Sequence, residues 1–262
     1  MAFQDHFSGH ATDYARARPT YPHALFAWLS DQCRHHDLAW DVGCGNGQAS
    51  LALVHHFQRV HASDPSEEQI AAAPSDPRIT WRVESAEHSA LHNHSVDLVT
   101  AAQAYHWFNH ERFCAEALRV LRPGGVVAVW CYGRTRVDRA VDDVFDDLYE
   151  NRLGPYWPPE RRHVDDGYRH LPFPFEVVGD PPRFEMTADW TLAQYLDYLR
   201  TWSSSQRYLR ETGRDAVSEF GAAFAAAWGD PDRRREVGWT QSLSAGRSPD
   251  AETRNVGGTG VP

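Results

Sequence analysis

The run Asp41-Val42-Gly43-Cys44-Gly45-Asn46-Gly47 sets three glycines at alternate positions directly behind a short apolar stretch, Leu38 to Val42. A chain entering such a run must turn sharply, and the missing side chains let backbone N–H groups approach a ligand at the start of the next helix. Asp64-Pro65 follows at the offset of about 20 residues expected for a carboxylate that accepts both hydroxyls of a ribose. Two further polar groups come later, Ser85-Ala86-Glu87 and Gln103-Ala104-Tyr105-His106-Trp107-Phe108. Together they describe a pocket for a nucleotide-like cofactor. A dinucleotide fingerprint spaces its glycines Gly-x-Gly-x-x-Gly, whereas here Gln48 stands where the last glycine belongs, so the dinucleotide reading is weakened.

The elements that must position these groups can be read from periodicity. Leu38–Val42, Arg59–Asp64, Ile79–Val83, Val96–Ala101 and Val126–Trp130 read as strands; Gln48–Val54, Ser66–Ala73 and Arg112–Leu121 read as helices between them. Strand alternating with helix predicts a doubly wound, mostly parallel sheet, and all four polar groups fall at carboxyl ends of strands, where such a sheet has its ligand crevice. After Cys131 the pattern changes to an acidic helix over 137–149 and a loop rich in Pro and aromatics over 154–182. A strand over 183–187, helices over 192–208 and 222–228, and a final antiparallel edge strand over 236–243 complete the expected sheet. The predicted organisation is an arm over 1–23, a cofactor-binding core over 24–135, a lid or insertion over 136–182, completing strands and helices over 183–246, and a disordered tail over 247–262.

The totals narrow the function. The 262 residues suffice for one large α/β domain, and no stretch approaches the roughly 20 apolar residues needed to span a bilayer. A formal charge of −10 argues against general affinity for nucleic acid or an anionic membrane. All 26 basic residues are Arg. The absence of Lys removes Schiff-base enzymes and Walker-type nucleotide hydrolases, both of which need that amine. Cys33, Cys44, Cys114 and Cys131 form no Cys-x-x-Cys pair, and His88, His92 and His94 lack the carboxylate or thiolate that would complete a zinc pattern, so no metal is expected. With no secretory signal apparent at the amino terminus, the expected location is cytoplasmic.

Taken as a set, these motifs resemble the class I S-adenosylmethionine-dependent methyltransferases, in particular the methyltransferase type 11 branch of ubiquinone-biosynthesis and trans-aconitate methyltransferases. The resemblance spans about Tyr14 to Trp130 and includes the Arg122-Pro123-Gly124-Gly125 turn. It implies a Rossmann-like seven-stranded sheet with an antiparallel edge strand, S-adenosylmethionine as cofactor, S-adenosylhomocysteine as product and a small-molecule methyl acceptor, in a monomer or homodimer. It implies that Tyr14, Asp41 and the backbone of Gly43, Cys44, Gly45 and Gly47 face the methionine end of the cofactor. Asp64 and Pro65 would hold the ribose, Ala86 and Glu87 would flank the adenine, and Gln103 would lie beside the transferable methyl. Asp13 to Pro22 and Thr201 to Tyr208 also look like this branch, which suggests methylation of aconitate or another small acid. Ser85 departs from the acidic residue many relatives carry before Ala86.

The acceptor side leaves alternatives open. A carboxylate acceptor is ionised at neutral pH and needs orientation rather than a base, with Arg18, Arg134 and Arg207 as candidates. A hydroxyl or amine acceptor would need a proton acceptor, for which His106 is best placed. Tyr21 and Trp107 are expected to wall the substrate, and Tyr105, Tyr156 and Trp157 are weaker candidates. A catalytically inactive cofactor-binding regulatory protein is the alternative function, resting on Ser85 alone.

Overall fold

The computed structural model describes residues 18–250. Its sheet has the strands β1 (Leu38–Val42), β2 (Arg59–Asp64), β3 (Ile79–Val83), β4 (Val96–Ala102), β5 (Leu121–Arg136), β6 (Glu176–Val177), β7 (Met186–Trp190) and β8 (Arg235–Arg247). The order is β3-β2-β1-β4-β5-β8-β6, with β7 also paired to β8. All pairs from β3 through β5 are parallel, and β8 runs antiparallel to β5, β6 and β7.

The seven-stranded expectation is corrected to eight strands in seven positions: β6 and β7 each pair with a different part of the same flank of β8. β6 and β7 supply the expected antiparallel edge, a place that the last strand, β8, does not take. It lies between β5 and the β6/β7 pair, because a 13-residue strand has two full sides to satisfy. Nor does a tail begin at Arg247, which closes β8 and donates to the carbonyls of Gly124 (2.7 Å) and Gln32 (2.9 Å).

Successive residues of β5 alternate between two cores, as the two-residue period of a strand requires. Val126, Ala128 and Trp130 meet Leu25, Phe26 and Leu29 of α1 (His23–Asp31) and Leu53 of α2 (Gln48–Leu53). Val127, Val129 and Cys131 meet Phe113, Ala117 and Val120 of α4 (His110–Val120). The short α3 (Glu67–Ala71) links β2 to β3 and starts where the Ser66 hydroxyl accepts from the Gln69 amide. The Arg122-Pro123-Gly124-Gly125 segment is an irregularity inside β5 rather than a turn ahead of it. The register with β4 jumps from Leu121 to Val126, and Arg122 reaches Asp37 (2.9 Å) and Asp97 (2.7 Å) at the base of the sheet.

Beyond β5 the chain builds a third core against one end of the sheet. The expected acidic helix divides into α5 (Arg139–Asp146) and a π-helical turn, Asp147–Arg152, followed by a 3₁₀ turn at Gly154–Tyr156 and the short α6 (Arg161–Asp165). The helix expected over 192–208 breaks at Thr201-Trp202 into α7 (Leu192–Arg200) and α8 (Ser203–Thr212). Then come α9 (Ala216–Glu219) and α10 (Gly221–Trp228). Phe145, Leu148, Tyr195, Leu199, Phe224 and Trp239 join these pieces into one buried cluster. Among the described residues, no helix is long and apolar enough to cross a membrane.

Candidate active site

The strand order reverses between β1 and β4, so the loops that leave their carboxyl ends flank the crevice of the sheet. Gly43, Gly45 and Gly47 all take positive φ, at 65°, 56° and 94°, a region costly for a residue with a Cβ. Their surroundings differ. A Cβ on Gly43 would lie 2.6 Å from Ala104 Cβ and 3.1 Å from the Phe108 ring, and one on Gly47 would run into the indole of Trp81. Only at Gly45 is there open space, with the Gln69 carboxamide oxygen nearest at 3.8 Å. Two of the glycines therefore make room for the protein itself, and one leaves room for a ligand.

The loop's amides are also largely committed. Cys44 donates to the Ser63 carbonyl (3.0 Å), Gly45 to the Asp64 carboxylate (2.9 Å) and Gly47 to the Cys44 carbonyl (3.0 Å). The cradle therefore offers shape more than free donors, which revises the expectation of N–H groups aimed at a ligand. Asp64 also accepts from the Ser66 amide at 2.9 Å, so its carboxylate is fixed at the end of β2 against both the glycine loop and the start of α3. Pro65 is half-buried beside it. Cys44 stays a thiol: burial, with Asp41 and Asp64 nearby, pushes its pKa well above the usual range.

Asp41 is fully buried, and its carboxylate accepts from the hydroxyls of Ser50 (2.6 Å) and Thr100 (3.0 Å). It braces β1 to α2 and β4 and is sealed from solvent, which fits a positioning role better than direct contact with a ligand. Burial pushes its pKa up to about 6, against the opposing effect of its two hydroxyl donors. The folded protein thus holds this proton where the unfolded chain releases it, so stability falls as pH rises between about 4 and 6. Replacing Asp41 by Asn is expected to favour the folded state by an amount that grows across that window to about 2–3 kcal/mol. Urea unfolding of both proteins at pH 4, 5, 6 and 7 checks this; a difference that stays constant with pH would refute it.

In the loop after β3, Ala86 is buried, and Glu87 accepts from the backbone amide of Asn109, the residue that caps α4, at 2.9 Å. Gln103 holds a left-handed backbone (φ 57°), rare for a side-chain-bearing residue and typical of strained site positions. Its carboxamide is paired in both directions with the Tyr132 backbone, donating to the carbonyl (3.0 Å) and accepting from the amide (3.1 Å).

A second cleft opens beside this loop, lined by Arg18, Gln103, His106, Trp107, Trp157 and Arg161, with Pro158, Val164, Trp202 and Ser203 around them. Of the expected acceptor residues the structure brings Arg18 and Trp107 here. Arg207 is not brought in: it lies on the exposed side of α8, paired with Glu211 at 2.7 Å. The helical spacing that faces Tyr208 inward turns its neighbour outward. Tyr21 packs edge-on against Trp130 (5.5 Å between ring centres) and is absent from the cleft lining. Arg134 pairs with Glu150 (2.6 Å) and covers the Tyr149 ring. Tyr105 is core, and Tyr156 packs on Tyr208. Trp157 does line the cleft. Tyr14 lies outside the described residues.

His106 is buried, with Nδ1 sharing a hydrogen bond with the Tyr168 hydroxyl at 2.8 Å and its ring against Trp107. Burial, reinforced by the cations of Arg161 and nearby histidines, drives its pKa well below 6.5. It is neutral near pH 7 and a weak proton acceptor, so the expected general base is better suited to a neutral wall. Arg161, Trp202 and Ser203 were not among the expected site residues. The aromatic and Pro-rich run Tyr156-Trp157-Pro158-Pro159 ahead of Arg161 was the available signal.

Known proteins resemble this chain in sequence and in fold. The family profile described as a methyltransferase domain matches residues 40–129. A Dictyostelium discoideum protein named "Putative methyltransferase" is 32% identical over 242 residues, covering 88% of this chain and 89% of that one. A Saccharomyces cerevisiae protein named "Probable S-adenosylmethionine-dependent methyltransferase" is 30% identical over 238 residues, covering 76% and 80%. Among solved structures, one from Anaeromyxobacter dehalogenans described as "a Putative Type II Methyltransferase" superposes with a TM-score of 0.82 at 49% identity, covering 88% of this chain and 99% of that one.

Proposed function

Because the chain belongs to the class I S-adenosylmethionine-dependent methyltransferases, we propose that it methylates a small molecule held in the cleft beside the glycine cradle. The observation that carries this reading is the shared wall. Ala104 closes on Gly43 of the cradle, and Gln103, one residue earlier, lines the acceptor cleft with His106 and Trp107. Bound S-adenosylmethionine would supply an electrophilic methyl group on a sulfonium.

The residues present fit that cofactor. Gly45 leaves open space over the cradle, Asp64 is anchored for the ribose, and Ala86 with Glu87 stands ready to flank the adenine. Gln103, tied to the Tyr132 backbone, holds the β4 loop at the boundary between donor and acceptor, and orienting the acceptor there while excluding water is a large part of what such a transfer asks of a protein. Segments 136–182 and 201–203 act as the cover, since they contribute Trp157, Arg161, Trp202 and Ser203 to the cleft. The acidic net charge and the confined cleft favour a small acceptor over nucleic acid, and a cytoplasmic monomer or homodimer fits this reading.

Calorimetric titration with S-adenosylhomocysteine, in protein stripped of co-purified ligand, should show one site per chain. Labelled methyl from S-adenosylmethionine should then appear on a member of a metabolite pool. Absence of binding would sink the proposal; binding without transfer to any acceptor would revive the inactive, regulatory alternative.

A further inference from the structure

Arg161 is the group in the acceptor cleft whose chemistry is least accounted for. Its Nε donates to the Tyr149 hydroxyl (2.7 Å) and to the Asp165 carboxylate (3.2 Å), and its guanidinium lies over the Trp157 ring at 4.7 Å. The side chain is only 17% exposed. Yet neither terminal Nη nitrogen makes a hydrogen bond among the described residues, although the residue lines the cleft. A guanidinium held by one edge and open at the other presents two parallel donors, the fork that matches a carboxylate. Neither Nη is sealed from solvent, so a ligand's carboxylate can replace the water there without the guanidinium having to move.

The rest of the cleft has the same sense. Arg18 also lines it, donating to the Tyr132 hydroxyl at 2.9 Å and lying over the Tyr198 ring at 5.5 Å. Trp202 and Ser203 bring the amino-terminal end of α8, which has no side-chain cap, to the same wall. Trp107, Trp157 and Trp202 make the remaining walls largely aromatic.

We propose that Arg161 is the specificity-determining residue of the acceptor site, and that it selects a small planar organic carboxylate through the two Nη donors, with Tyr149 and Asp165 fixing the guanidinium. The inference rests on the methyltransferase reading for its cleft but not for its measurement. Benzoate serves as the probe, with benzamide as its uncharged isostere and phenyl phosphate as a tetrahedral anion, each followed by intrinsic tryptophan fluorescence with and without saturating S-adenosylhomocysteine.

The expected result is saturable binding of benzoate, binding of benzamide at least about 10-fold weaker, and an Arg161→Met protein that loses about 10–100-fold in benzoate affinity while binding S-adenosylhomocysteine as the unaltered protein does. Arg161→Lys, which keeps the charge without the fork, should fall between, and retained S-adenosylhomocysteine binding shows that each variant is folded. No benzoate binding, equal binding of benzoate and benzamide, tighter binding of phenyl phosphate, or an unchanged benzoate affinity in Arg161→Met would each overturn the proposal. If S-adenosylhomocysteine fails to bind the unaltered protein, the methyltransferase reading fails separately, and the benzoate arm without cofactor still decides the role of Arg161.

Discussion

Gly43→Ala is expected to destabilise the protein by about 2–5 kcal/mol and to weaken S-adenosylhomocysteine binding at least about 100-fold. Two costs combine. At φ 65° a Cβ meets the backbone of its own residue, at about 1–2 kcal/mol. The same Cβ would lie 2.6 Å from Ala104 Cβ, well inside the roughly 3.5–4.0 Å of a normal carbon contact. Ala104 cannot rotate out of the way, because its side chain is a single methyl; the whole loop after β4 must shift, with the overpacking cost of about 1–3 kcal/mol that implies. That loop includes Gln103, His106 and Trp107, which line the neighbouring cleft. Gly45→Ala provides the internal contrast. It shares the backbone penalty but meets open space, so the expected outcome is a smaller loss of stability with a comparable loss of binding. Denaturant unfolding and calorimetry on both variants separate the cases; equal stability losses would show that the close approach to Ala104 is unimportant.

Asp64→Ala is expected to raise the S-adenosylhomocysteine dissociation constant by about 100–1,000-fold. The carboxylate would accept the ribose hydroxyls, and hydrogen bonds to a charged group contribute about 1.5–3 kcal/mol each. It also accepts from the amides of Gly45 and Ser66, so its removal loosens the open part of the cradle as well as deleting the acceptor. Asp64→Asn should fall short of Ala in its effect. It keeps the shape of the side chain but turns an NH₂ donor toward one of the two backbone amides, and a loss of about 10–100-fold is expected. Calorimetry at fixed ionic strength measures both. An Asp64→Ala protein that bound S-adenosylhomocysteine within about 3-fold of the unaltered chain would remove Asp64 from the ribose site.

The contrast between Asp64 and Asp41 shows how far residue type alone can be read. Both are acids at strand ends in the sequence, and both were expected to face the cofactor. Asp64 ends half-exposed against the glycine loop, whereas Asp41 is enclosed between Ser50 and Thr100. Position in a strand says which end of the sheet a carboxylate occupies. It does not say which neighbouring hydroxyls will close over it, because those come from residues 9 and 59 positions away. The glycines carry the same lesson. Their spacing announces a turn, but that Gly43 serves Ala104 and Gly47 serves Trp81 follows only from the sheet order, which sets β4 beside β1 on one side and β3 one strand beyond β2 on the other.

The alternating strands and helices of the first half and the methyltransferase family were legible in the sequence alone, since these depend on local periodicity and on motifs within one stretch of chain. The absence of Lys likewise narrows the chemistry, because it is a matter of composition alone. It took the folded chain to show that β8 is an interior strand, that Arg207 faces solvent, that His106 is held neutral, and that Arg161 lines the cleft beside Gln103. Each of these depends on contacts between segments far apart in sequence. In the second half of the chain, short helices broken at a π turn and at Thr201-Trp202 take their direction from the shared aromatic core rather than from their own periodicity.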